Sequence, residues 1–130
     1  MATLFLNDFY TIQSKKTDPG KSHLKVQVQI NRDHVLFAGH FPEHPVVPGV
    51  VMIQMITEIL ADSLQEELEL KELDRVKFLS LVDPNVHPCL EFELIIKRED
   101  QQYFHVNANI YSQEQLIMKC NGKWERTPVN

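Results

Sequence analysis

Residues 37–60, FAGHFPEHPVVPGVVMIQMITEIL, decide how the chain is read. The stretch opens as a loop carrying Gly39, His40, Pro42, His44, Pro45, Pro48 and Gly49, and passes without a linker into a nearly unbroken apolar run. Each proline fixes its own φ and pushes the residue before it out of the α region. The backbone from His40 to Pro48 therefore has few states to lose, and such a loop can hold a side chain still. From Val50 to about Leu68 the pattern predicts one helix, about 28 Å long at 1.5 Å per residue. Pro48 suits its first turn, where a missing N–H costs nothing. The helix is apolar on almost every side in its first half and carries Asp62, Gln65, Glu66 and Glu67 in its second, so it enters a core and emerges from it.

Working outward, HLKVQVQI at residues 23–30 alternates with period two, placing Leu24, Val26, Val28 and Ile30 on one face and Lys25, Gln27 and Gln29 on the other. That is a half-buried strand. DFYTIQSKK before it reads as its partner, with Asp18-Pro19-Gly20 as the turn between them. Beyond the helix, strands are expected over Arg75 to Val82, Cys89 to Arg98, Tyr103 to Tyr111 and Gln115 to Trp124, separated by polar turns such as Arg98-Glu99-Asp100-Gln101. No repeat, low-complexity run or linker interrupts the series, so residues 1–130 are expected to form a single domain. Two strands, a loop, one buried helix and four strands make an α+β domain in which an antiparallel sheet wraps around one long central helix, the arrangement called the hotdog fold.

Composition sets outer limits. At 130 residues and 15.2 kDa, with 43% hydrophobic and 24% charged residues, the chain suits one core. A net charge of −5 and a pI near 5.6 argue against binding nucleic acid through a general basic field; the pairs Lys97/Arg98 and Arg75/Lys77 are the local exceptions. The N-terminal MATLFLNDFY lacks the basic and long apolar regions of a signal peptide. No segment approaches the ~20 apolar residues of a membrane span. Cys89 and Cys120 sit in strand-like apolar surroundings and are expected to be buried free thiols in a reducing cytoplasm.

The chemistry concentrates where loop meets helix. Gly49 has no Cβ, so the first free N–H groups of the helix, at Gly49 and Val50, stand open to a ligand oxygen with the helix dipole behind them. They form a candidate oxyanion site, and His40 lies on the adjoining loop. A base beside an oxyanion site is what proton abstraction next to a thioester carbonyl requires.

The motif G-H-F-P-x-x-P-x-x-P-G-V, present from Gly39 to Val50, resembles the active-site signature of the β-hydroxyacyl-acyl-carrier-protein dehydratases. VKFLSLVDP at residues 76–84 resembles that family's strand after the helix. The resemblance implies a hotdog homodimer with two helices side by side beneath a continuous sheet, and active sites shared between subunits. It implies His40 as catalytic base, the Gly49 N–H as donor to the thioester carbonyl, and Phe41, Pro48 and Val50 beside Gly49 as substrate contacts. It implies a 3-hydroxyacyl thioester on acyl carrier protein or coenzyme A, and it calls for no cofactor. One position departs from the pattern. The family carries Glu or Asp fourteen residues after the histidine, where this chain has Gln54, and many members carry glutamine where this chain has Glu58. Either Glu58, one turn on, supplies the acid, or the acid is lost and Gln54 only orients a hydroxyl or water.

Other readings of the same residues stand beside this one. The loop could be a structural turn that caps the helix. Gln54, Thr57, Glu58, Asp62 and Gln65 form a polar stripe at helical spacing, the usual mark of a solvated face. A hotdog thioesterase with Glu58 directing water, or a non-catalytic acyl-binding or scaffold subunit, would share the fold. His40 and His44 have metal-pair spacing, but Pro42 and Pro45 prevent the helix that would align them, and no third ligand is in view; no metal is expected.

Overall fold

Alternating side chains build the sheet. In the computed structural model, which describes residues 4–39 and 43–127, β1 (Tyr10–Thr17) and β2 (His23–Ile30) form a hairpin. A short helix α1 (Val35–Gly39) and the long helix α2 (Gly49–Leu64) follow, and β3 (Leu68–Phe78), β4 (Cys89–Arg98), β5 (Tyr103–Ser112) and β6 (Gln115–Arg126) complete the order. The six strands pair antiparallel in the order β1-β2-β4-β5-β6-β3. This is the α+β, sheet-over-helix architecture read from the sequence.

Register makes the apolar face continuous. Val26 lies opposite Phe92, Phe92 opposite Ile110, and Ile110 opposite Met118, all buried. Leu94, Ala108 and Cys120 line up in the same way. Slipping any strand by one residue would turn its whole apolar set outward, so burial on one face fixes the register. The α2 helix lies against that face through Met52, Met55, Ile56, Ile59 and Leu60. Trp124, fully buried, donates its indole N–H to Thr57 Oγ at 2.8 Å and ties β6 to the helix. Gly122 permits this: a Cβ there would stand 2.7 Å from the Trp124 ring and 3.0 Å from the Glu72 carbonyl oxygen.

The helix ends at Leu64, one turn before the expected Leu68. Gln65 takes the left-handed conformation (φ 53°, ψ 46°), and its N–H closes on the Ala61 carbonyl oxygen. β3 then starts at Leu68, well before the expected Arg75. Leu64 and Leu68 keep helical spacing whereas Leu68 and Leu70 keep strand spacing, so this stretch carries both patterns. Irregularities between Leu70 and Glu72 and between Leu73 and Arg75 then break the alternation. Charges and bulges of this kind are how an edge strand such as β3 avoids pairing at random. At its far end β3 stops at Phe78 rather than Val82, yet the N–H groups of Leu79 and Ser80 still reach the Ile117 carbonyl oxygen. β4 has the expected bounds; β5 and β6 run slightly longer, to Ser112 and Arg126. Cys120 is buried but Cys89 is exposed, against expectation; both are free. Among the described residues no helix is long and apolar enough to cross a membrane.

Candidate active site

His40 and Phe41, the expected base and a substrate contact, lie outside the described residues, as does Pro42. The α1 helix leads in at Gly39. On the other side the Val47 N–H donates to the Val82 carbonyl oxygen at 2.9 Å, fastening the proline loop to the segment after β3. Pro48 is the N-cap of α2 (φ −62°, ψ 145°) rather than a residue of its first turn, and no side chain caps this end. The first backbone bonds of the turn come from Val51 and Met52, to the Pro48 carbonyl oxygen at 3.0 and 3.2 Å. The N–H groups of Gly49 and Val50 stand ahead of that ladder, where a helix terminus presents positive charge. The Phe78 ring lies so close over Gly49 that a Cβ there would sit 2.5 Å from it. Val50 is 73% exposed and Phe78 52%, which gives the helix start an open apolar rim.

One turn into the helix stand Gln54 and Glu58. Glu58 is only 2% exposed, and Thr57 is buried beside it, so these two do not belong to a solvated face. Further along the stripe Asp62 is half-buried and Gln65 exposed. Asp62 there forms an ion pair with Lys15 at 2.7 Å.

Glu58 is enclosed by donors. Its Oε2 accepts the N–H groups of Leu4 at 2.9 Å and Phe5 at 3.1 Å, and the Gln54 Nε2 at 3.0 Å. Its Oε1 accepts the N–H groups of Leu6 at 2.8 Å and Phe5 at 3.3 Å, and the Tyr10 hydroxyl at 3.1 Å. The N-terminal segment turns tightly to reach it: Phe5 accepts at its own carbonyl from the N–H groups of Asp8, Phe9 and Tyr10. Tyr10 is fully buried, and its phenol is pushed well above its ordinary range, first by burial and then by the Glu58 charge.

Gln54 is half-buried and lines a mainly apolar groove with Leu4, Phe5, Val50, Ile53 and Thr57. The structure therefore brings Gln54, Glu58, Val50 and the Gly49 helix start onto one stretch of α2, and puts Gln54 rather than Glu58 at the surface of the groove. Reading the sequence missed Tyr10 and the backbone of residues 4–6. The signal was the apolar LFLNDFY patch at residues 4–10, which runs into β1.

A six-stranded antiparallel sheet over one long helix that starts at an uncapped glycine defines a hotdog-fold protein. Within that class the chain belongs to the ApeI-like family, whose model, described as ApeI dehydratase, matches residues 14–119. It is 30% identical over 105 residues to the 3-hydroxyacyl-acyl-carrier-protein dehydratase FabZ of Geobacillus thermodenitrificans, across 72% of either chain. The FabZ of Wolbachia pipientis wMel is 35% identical over 74 residues, and there the match spans about half of the relative, 51% of its length. Among solved structures, the dehydratase heterocomplex ApeI:P of Xenorhabdus doucetiae has the same fold, with a TM-score of 0.68, 19% identity, and coverage of 89% of this chain and 97% of that one. A hypothetical thioesterase with coenzyme A from Streptococcus pneumoniae TIGR4 shares it at a TM-score of 0.64 and 12% identity, over 93% and 89%.

Proposed function

We propose that this protein dehydrates a 3-hydroxyacyl thioester, carried on acyl carrier protein or coenzyme A, to the 2-enoyl thioester in acyl-chain biosynthesis. The observation that carries the reading is the uncapped start of α2 at Gly49, at the end of the Gly39-to-Val50 motif, in a chain that belongs to a dehydratase family. The thioester carbonyl oxygen takes the Gly49 N–H while His40 removes the α-proton, so negative charge develops where the helix terminus stabilises it. The α-carbon electron pair then forms the double bond, and the C–O bond to the β-hydroxyl breaks. The imidazolium of His40 returns its proton to that oxygen, which leaves as water. An imidazole can serve in turn as base and as acid near neutral pH. Phe41, Pro48 and Val50 flank the thioester end of the acyl chain.

The protein acts as a homodimer in this reading, with each site shared between subunits. Support comes from the open apolar rim of Val50 and Phe78. It works in a reducing cytoplasm, in keeping with two free cysteines. The thioesterase reading needs a carboxylate free to direct water, and both Glu58 oxygens are already occupied by protein donors. A non-catalytic acyl-binding subunit is the second reading, favoured by the amide at position 54. Dehydration assayed on a panel of 3-hydroxyacyl carrier-protein and coenzyme A thioesters decides between them. Appearance of the conjugated enoyl thioester is expected, and acyl binding without turnover on any chain length establishes the second reading instead.

A further inference from the structure

The amide at position 54 has a fixed polarity. Three of the groups around the Glu58 carboxylate are backbone N–H groups, which cannot reverse their role. The carboxylate is thus an acceptor at both oxygens, and the Gln54 atom 3.0 Å from Oε2 has to be the NH2 group. An isolated glutamine can turn its amide over at little cost, but this one cannot without setting one acceptor against another. Its carbonyl oxygen consequently points away from Glu58, and it makes no hydrogen bond among the described residues. A carbonyl oxygen beside a groove lined by Leu4, Phe5, Val50 and Ile53 is suited to a ligand that brings its own donor.

Resting on the dehydratase reading, we propose that Glu58 is a positioning residue that holds Gln54 as a hydrogen-bond acceptor for the substrate's 3-hydroxyl. The site then distinguishes a 3-hydroxyacyl chain from a plain acyl chain through Gln54 Oε1. Because this oxygen has no proton to give, the proton that leaves with the hydroxyl comes from the His40 imidazolium. Glu58 never touches the substrate; it acts by setting which edge of Gln54 does.

The test separates reading of the hydroxyl from turnover. An acyl pantetheine thioester bearing two fluorines on its α-carbon has no α-proton to lose, so its 3-hydroxy form and its 3-deoxy form can be compared by equilibrium binding. Wild-type protein should bind the 3-hydroxy form about tenfold more tightly, the scale of one oriented hydrogen bond. The ratio should fall to about twofold or less in Gln54→Leu, and likewise in Glu58→Gln, where an amide that presents both a donor and an acceptor no longer fixes the edge of Gln54. Tyr10→Phe removes a Glu58 contact but leaves the Gln54 bond, and should keep the wild-type ratio. If Glu58 only pins the N-terminal segment, Glu58→Gln and Tyr10→Phe will weaken both ligands equally and leave the ratio alone, which overturns the proposal. Should Glu58→Gln fail to fold, Gln54→Leu at its half-buried groove position decides: a preserved preference refutes the proposal. Equal binding of the two ligands by wild type refutes it while leaving the dehydratase reading intact. Binding of neither, with no turnover, refutes both.

Discussion

Replacing Glu58 by leucine keeps the side chain's approximate size and removes an acceptor that serves five donor groups. The cost can be worked donor by donor. The Tyr10 hydroxyl is fully buried and has no water to turn to, so its loss costs ~1–3 kcal/mol. The Leu4 N–H belongs to a residue 65% exposed and the Gln54 NH2 to a half-buried one at the groove, so both can be rehydrated at little cost. Phe5 and Leu6 are partly buried and contribute about 1 kcal/mol each. The sum is roughly 3–5 kcal/mol, the cost of buried donors left without an acceptor. For a chain of this length it lowers the melting temperature by on the order of 15 °C. Thermal melts and urea titrations measure the total. Amide hydrogen exchange localises it, because protection should be lost at residues 4–6 before the sheet opens. A Glu58→Leu protein that melts within about 4 °C of wild type would refute the argument, since leucine packing would then offset the whole network. Fast exchange of the Leu6 amide in the wild-type protein would refute it independently.

Four further outcomes follow from other parts of the molecule. His40→Ala should lower kcat/KM by roughly 10²-fold or more with little change in melting temperature, and activity within a few-fold of wild type removes His40 from the mechanism. Gln54→Glu sets a second carboxylate where Gln54 now lies 3.0 Å from Glu58, so the pair shares a proton and keeps it to higher pH than either would alone; dehydration should rise at acidic pH and fall as pH climbs through the pair's raised pKa, whereas a flat difference profile across pH 5–9 contradicts the shared proton. The Asp18 carboxyl is held down to about 2, chiefly by the Ser22 hydroxyl and then the His23 N–H. Its folded pKa lies below its unfolded value of ~3.9, so its contribution is present above that value and is lost as pH falls toward 2; acid titration of stability should flatten in that window in Asp18→Asn. Gly122→Ala drives a methyl to 2.7 Å from the buried Trp124 ring and 3.0 Å from a backbone oxygen, and should cost ~1–3 kcal/mol by chemical denaturation.

Local patterns made the sheet legible. β2 and β4 appear with the bounds that alternation gives them, because each turns one face to the helix and the other to water. The start of α2 was equally plain, since proline and glycine punctuate it. The helix end and β3 were not. Leu64, Leu68 and Leu70 satisfy a helical and a strand period at once, and the choice falls to the left-handed turn at Gln65, a residue that gives no strong sequence signal for it. β3 lies at the sheet edge, buries little of its length, and carries bulges that erase its alternation, so its pattern depends on pairing with β6. Cys89 misled for a related reason: it opens β4 on the exposed side of the pleat, although Leu90 beside it is buried.

The exchange of amide and carboxylate at positions 54 and 58 shows where one-dimensional reading stops. By spacing alone the two residues are interchangeable, one turn apart on the same side of α2, and a carboxylate at either place is able to reach a ligand. What separates them is a set of contacts 48 to 54 residues away in sequence: the turn at Leu4 to Leu6 delivers three N–H groups, and Tyr10 a hydroxyl, to position 58. Donors gathered in that way favour a carboxylate, and a glutamine there would set its own NH2 against one of them. The carboxylate in turn dictates which edge of Gln54 faces the groove. Glutamine at 54 follows from glutamate at 58 by the same rule, since a second carboxylate 3.0 Å away would be repelled unless a proton were shared. The pair is therefore one unit, and restoring an acid at position 54 alone is expected to alter the pH dependence of the site before it alters its maximal rate.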